Sequence, residues 1–180
     1  MKIALLSVLM LFVIISLSGF AQAQTSLSDL RPEHQHVVEQ LLQERSYLRF
    51  VSEREFGVGR SILQETRAWL KQPAMHPYYV RGDFNGDRLS DFAVILRDTR
   101  NLSRHMREDD MNHAVFVFNG QEKGRYLLAH ESTETAFRQG FLYTEHGLRF
   151  MVSETDRCNL YVPAGRHYKV EGCWAFDEDY

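Results

Sequence analysis

The chain has 180 residues, with 21 Lys and Arg against 24 Asp and Glu, for a formal net charge of −3. Its basic residues are scattered singly, so a mildly acidic chain of this kind has no electrostatic reason to seek nucleic acid, and that class of partner is excluded. The length suits one ordinary domain, long enough for a real hydrophobic core.

The first residues have the three parts of a secretory signal: Met1-Lys2, an apolar run from Ile3 to Leu17, and the small-residue stretch Ser18-Gly19-Phe20-Ala21-Gln22-Ala23. The expected cut follows Ala23, which leaves 24–180 as a single domain of 157 residues and, with Lys2 removed, a net charge of −4. An uncleaved anchor is the competing reading, because a run of about 18 apolar residues could just span a bilayer. Ala21-Gln22-Ala23 directly behind the run favours cleavage, so the expected destination is periplasmic or secreted, with no stable membrane insertion afterwards.

In chain order, Pro32 and Glu33 open a helix whose apolar positions Val37, Val38, Leu41 and Leu42 recur at helical spacing, giving an expected span from Pro32 to about Arg45. From Tyr47 to Gly59 the pattern is irregular. Ile62, Leu63, Thr66, Trp69 and Leu70 then form a second helical stripe, which Pro73 must end. Beyond Pro77 the chain changes to short β runs: Tyr78 to Arg81, Phe92 to Arg97, Ala114 to Phe118, Arg125 to His130, Phe141 to Thr144, Leu148 to Val152, Asn159 to Val162 and Tyr168 to Phe176. Asp98 to Asn112 reads as a polar excursion or a short surface helix. Asn119-Gly120, Gly147 and Gly165 are expected to mark turns. The expected fold class is therefore α+β, with the amino-terminal helices covering one face of a mainly antiparallel sheet.

Between the first two β runs lies Asp83-Phe84-Asn85-Gly86-Asp87-Arg88-Leu89-Ser90-Asp91. Oxygen-bearing side chains at positions 1, 3, 5 and 9 of such a loop are what a hard divalent cation needs to be wrapped by one tight turn. Gly86 allows a backbone conformation costly to other residues. The expected metal ligands are Asp83, Asn85, Asp87, the Leu89 carbonyl and Asp91, with water completing a calcium shell. An EF-hand is excluded, since its loop requires glycine at position 6 and glutamate at position 12, where this chain has Arg88 and Val94. Without a final bidentate acid the expected affinity is modest, ~10⁻⁴–10⁻³ M.

Gly82-Asp83-Phe84-Asn85-Gly86-Asp87 followed by Asp91-Phe92-Ala93-Val94 resembles the FG-GAP or VCBS-type repeat, also seen in integrin-like propeller blades. The resemblance covers about Tyr78 to Leu96 and implies a calcium loop between two strands, held by the same five residues. The family commonly has a second glycine where Arg88 stands. A propeller needs several blades, and a single motif does not supply them.

Cys158 and Cys173 lie 15 residues apart with Pro163-Ala164-Gly165 as a turn between two strand-like runs, which suits opposed positions on a hairpin. In an oxidising compartment they are expected to bridge, adding ~3 kcal/mol by loop entropy. His34 and His36 face different directions on a helix, and the other histidines have no zinc spacing and read as surface residues. Trp69, Phe116, Phe118, Tyr126, Trp174 and Phe176 recur as core residues do. No nucleophile elbow, phosphate loop or Rossmann fingerprint is present.

The functional expectation is an exported domain stabilised by structural calcium, acting as a binding module for a protein or glycan. Two alternatives stand beside it. One is a metal-assisted periplasmic hydrolase of polysaccharide, peptidoglycan or phosphoester; the other is an inhibitor or immunity protein of a periplasmic enzyme.

Overall fold

A computed structural model describes residues 27–51, 60–100, 111–136, 140–144, 147–152 and 157–174. The expected leader, residues 101–110 of the polar excursion, and Phe176 lie outside them, as does the side chain of Trp174.

The elements in order are α1 (Pro32–Glu44), β1 (Leu48–Phe50), α2 (Arg60–Trp69), β2 (Tyr79–Gly82), β3 (Asp91–Asp98), β4 (Met111–Gln121), β5 (Arg125–Ala136), β6 (Gly140–Thr144), β7 (Leu148–Val152), β8 (Arg157–Ala164) and β9 (His167–Trp174). All strand pairings are antiparallel. The strands form two sheets rather than the one expected: β1-β3-β4-β5, with β2 also paired to β3, and β6-β7-β8-β9.

The alternation of side chains along β3 explains the division. Phe92, Val94 and Leu96 point one way, into a cluster with Leu27, Leu30, Val38 and Leu41 of the amino-terminal segment. Ala93 and Ile95 point the other way, into a cluster with Phe141, Tyr143, Phe150 and Tyr161 of the second sheet. A strand covered on both faces reads as an unbroken apolar run, and β3 does from Phe92 to Leu96. The first sheet is thus a middle layer, with α1 on one side and the second sheet on the other.

Several local expectations are corrected. The irregular stretch after Tyr47 contains β1, whose Leu48 and Phe50 are buried. Leu63 of α2 packs into the cluster between the sheets, so the two helices do not share one face. Trp69 is 48% exposed, because at 100° per residue it lies about 120° around the helix from Leu63. The turn expected at Asn119-Gly120 comes later, at Glu122–Gly124, where Lys123 and Gly124 both have positive φ.

Asn119 and Gly120 belong instead to β4. A Cβ on Gly120 would lie 2.5 Å from the Ser90 carbonyl oxygen, so glycine is there to let two backbones approach. Before Asn119 the β4–β5 register shifts between Val117 and Phe118, leaving Ala129 as the extra residue of a bulge. Cys158 and Cys173 stand directly opposite each other on β8 and β9, Cα atoms 4.9 Å apart, and form the expected disulfide.

Candidate functional site

Residues 83–90 connect β2 to β3, closing on the pair Gly82 and Asp91. The loop is built from its own side chains. Asp83 Oδ1 accepts the backbone N–H groups of Gly86 (2.7 Å) and Asp87 (3.1 Å), and Oδ2 accepts that of Arg88 (2.9 Å). Asn85 Oδ1 accepts the Asp87 N–H at 3.0 Å, while Asp87 Oδ1 accepts the Leu89 N–H at 2.8 Å. Asn85 Nδ2 donates to Asp87 Oδ2 at 3.0 Å. These are the local side-chain-to-backbone bonds by which Asp and Asn bend a chain. Two residues complete the bend with left-handed backbone, Gly86 at φ +79° and Arg88 at φ +68°.

Asp91 joins the loop to the rest of the fold. Its carboxylate is fully buried and accepts the Phe84 N–H and the Gly120 N–H, each at 2.8 Å. Burial pushes its pKa above the ordinary carboxylate value; the N–H groups of Gly120 and Phe84 oppose the shift, and the negative charge of Asp87 adds to it. The second sheet reaches the same place through Tyr168, whose hydroxyl donates to Asn119 Oδ1 at 2.8 Å. The Tyr168 phenol is pushed up first by burial and then by the fields of Asp91, Asp87 and Asp83. Three carboxylates therefore converge electrostatically on one buried hydroxyl.

The donor set suits a hard cation, since every donor side chain offers oxygen. An ionised carboxylate has about four lone-pair sites. Asp83 uses three for hydrogen bonds, whereas Asp87 and Asp91 use two each, so acceptor capacity remains. As they stand, the described residues contain no group of three or more His, Cys, Asp or Glu side chains that could hold a metal ion. The arrangement brings Asp83, Asn85 and Asp87 into one turn, anchors Asp91 beneath it, and places Leu89 through an N–H bonded to Asp87.

Two further features lie outside the expected site. His34 is fully buried, with Nδ1 at 2.6 Å from the Tyr79 hydroxyl, Nε2 at 2.7 Å from the Tyr126 hydroxyl, and its ring stacked on Phe92 at 4.1 Å. Burial holds its pKa down at about 4. Its place beside Val38 on the inner face of α1, one turn away, was the signal available in the sequence.

The second feature is a cleft of about 580 Å³ beside β2. Its polar lining is Asp29, Gln72, His76, Arg81 and Thr144; Pro73, Ala74, Met75, Tyr79 and Val80 complete the wall. None of residues 83–91 lines it.

Compared with protein-family models, curated proteins and solved structures, the chain matches none of them. Among the described residues no helix is long and apolar enough to cross a membrane.

Proposed function

We propose that the chain is an exported binding module in which one calcium ion rigidifies the β2–β3 hairpin, held by Asp83, Asn85, Asp87, the Leu89 carbonyl and Asp91, as the FG-GAP or VCBS resemblance implies. The observation that carries this reading is Asp91: a fully buried carboxylate, bonded to two backbone N–H groups and to no cationic side chain among the described residues. Burying a charge is costly unless it is paired, and the charge of Asp87 that acts on it is of the same sign. A divalent ion in the loop offsets both terms.

A structural role is favoured over a hydrolytic one because the cleft and the acidic loop are lined by different residues. A metal-assisted hydrolase needs its carboxylates to open onto the substrate's cavity.

Calorimetric titration of the protein with calcium chloride tests the proposal. The expected dissociation constant is ~10⁻⁴–10⁻³ M, and at a free concentration about tenfold above it the stability gain is ~1.4 kcal/mol. Amide shifts should concentrate in residues 83–91 and Gly120. Unchanged melting temperature and unchanged loop amides at millimolar calcium would defeat the reading.

A further inference from the structure

We propose that the cleft beside β2 binds a short peptide with free termini, its ammonium end at Asp29 and its carboxylate end at Arg81. This rests on the binding-module reading but not on calcium.

The cleft's volume falls in the usual range for a small-ligand site, and apolar side chains line it together with a few polar ones. The consecutive residues Tyr79, Val80 and Arg81 all line it, although alternate side chains of a strand point to opposite faces. It therefore runs along the edge of β2. Among the described residues that edge carries no second strand, since β2 pairs with β3 alone apart from the isolated bridge between His76 and Tyr79.

Pair alternation decides where the backbone of this edge points. The Tyr78 carbonyl accepts the Ile95 N–H, so residues 78, 80 and 82 turn toward β3 while 79 and 81 turn outward. Tyr79 meets His76. The N–H and C=O of Arg81 consequently face the cleft and can pair with an extended backbone laid along it.

Two opposite charges line the cleft, Asp29 and Arg81. Asp29 Oδ2 lies 3.3 Å from His76 Nε2, and the His76–Tyr79 bridge sets that pair beside the first residue of β2. The His76 imidazole accepts the Tyr78 N–H at Nδ1 (3.2 Å), so its Nε2 carries the proton and donates to Asp29. Asp29 is half-exposed, with Oδ1 available to an ammonium group. Arg81 is exposed and has no ion pair among the described residues. Arg81 lies two residues along β2 from Tyr79, a rise of about 7 Å. The charged ends of an extended dipeptide are about the same distance apart. An apolar side chain on the guest would meet Met75 and Val80.

Other lining residues are already fixed, which lowers the ordering cost of binding. Arg67 donates from Nε and Nη2 to the Met75 carbonyl at 2.8 and 2.6 Å, the Met75 N–H reaches the Gln72 carbonyl at 3.0 Å, and Gln72 Nε2 reaches the Thr144 carbonyl at 3.2 Å.

The test is amide shift mapping of the ¹⁵N-labelled protein titrated with L-alanyl-L-leucine, run once with calcium and once with a chelator. Shifts are expected at Met75, His76, Val80, Arg81 and Thr144. Affinity should fall at least tenfold with the N-acetylated peptide, with the C-amidated peptide, and in Asp29→Asn and Arg81→Gln. Both substitutions are at accessible positions, and an unchanged amide spectrum elsewhere confirms folding. Cleft shifts that persist in the chelator support the inference even if the loop amides ignore calcium, which separates the two readings. No cleft shifts at millimolar peptide, or equal affinity for blocked peptides and for both variants, would overturn it.

Discussion

Among the described residues, acidification toward pH 4 should destabilise this fold through His34. In the folded protein burial holds its pKa near 4, against an ordinary value of 6.5. Between those values the unfolded chain binds a proton that the folded chain refuses, so stability is complete above pH 6.5 and is lost as pH falls toward 4. The gap is about 2.5 units, and at 1.36 kcal/mol per unit the loss has a ceiling of ~3.4 kcal/mol. That is a large share of the ~5–15 kcal/mol typical of a domain.

Asp98 acts with the same sign but lower in pH, because its bonds to Arg100 hold its pKa below the usual carboxylate value. Asp91 acts with the opposite sign: its raised pKa gives a contribution complete below the ordinary carboxylate value and lost as pH rises through the folded value. The assay is urea unfolding at pH steps from 7.5 to 4, for the wild type and for His34→Phe. The variant loses the two tyrosine hydrogen bonds at every pH, so the readout is the slope rather than the absolute stability. Subtracting the two curves should isolate a term growing toward ~3 kcal/mol at pH 4. Parallel curves, or a His34 ring proton that titrates near 6.5 by NMR, would refute the reasoning.

Asp91→Ala should cost ~2–5 kcal/mol, because it leaves the buried N–H groups of Phe84 and Gly120 without an acceptor; urea unfolding reads it, and a loss below 1 kcal/mol would mean water replaces the carboxylate. Gly120→Ala should cost ~1–3 kcal/mol, since its Cβ meets a backbone oxygen rather than a movable side chain. In the opposite direction, Arg88→Gly should stabilise by ~0.5–1 kcal/mol, the left-handed strain relieved exceeding the added chain entropy; a melting temperature that falls would contradict this. Replacing both Cys158 and Cys173 by Ala should cost up to ~3 kcal/mol, checked by comparing unfolding midpoints with and without reductant, which should move only the wild type.

What the sequence determined by itself was local. Proline at the start of α1, the alternation and apolar runs of the strands, and the Asp-Asn-Gly chemistry of residues 83–91 are interactions between near neighbours, and most elements fall close to their expected bounds, although β1 was not expected and β5 runs to Ala136 instead of His130. The left-handed backbone of Gly86 and Arg88 belongs to the same local turn. The disulfide was also within reach, because a hairpin turn sets the register of the strands it joins.

Tertiary structure alone decided the rest. Two sheets replace one because β3 must bury both faces, and a one-dimensional pattern does not say what lies on each. Gly120 resembles a turn glycine until Ser90 is brought against it from 30 residues away. His34 reads only as half of a poor metal pair with His36 until β2, β3 and β5 surround it with Tyr79, Phe92 and Tyr126. The cleft joins Asp29, His76, Arg81 and Thr144 from distant parts of the chain. In each case the energy lies in contacts between segments far apart in sequence, and only the folded chain brings them within reach.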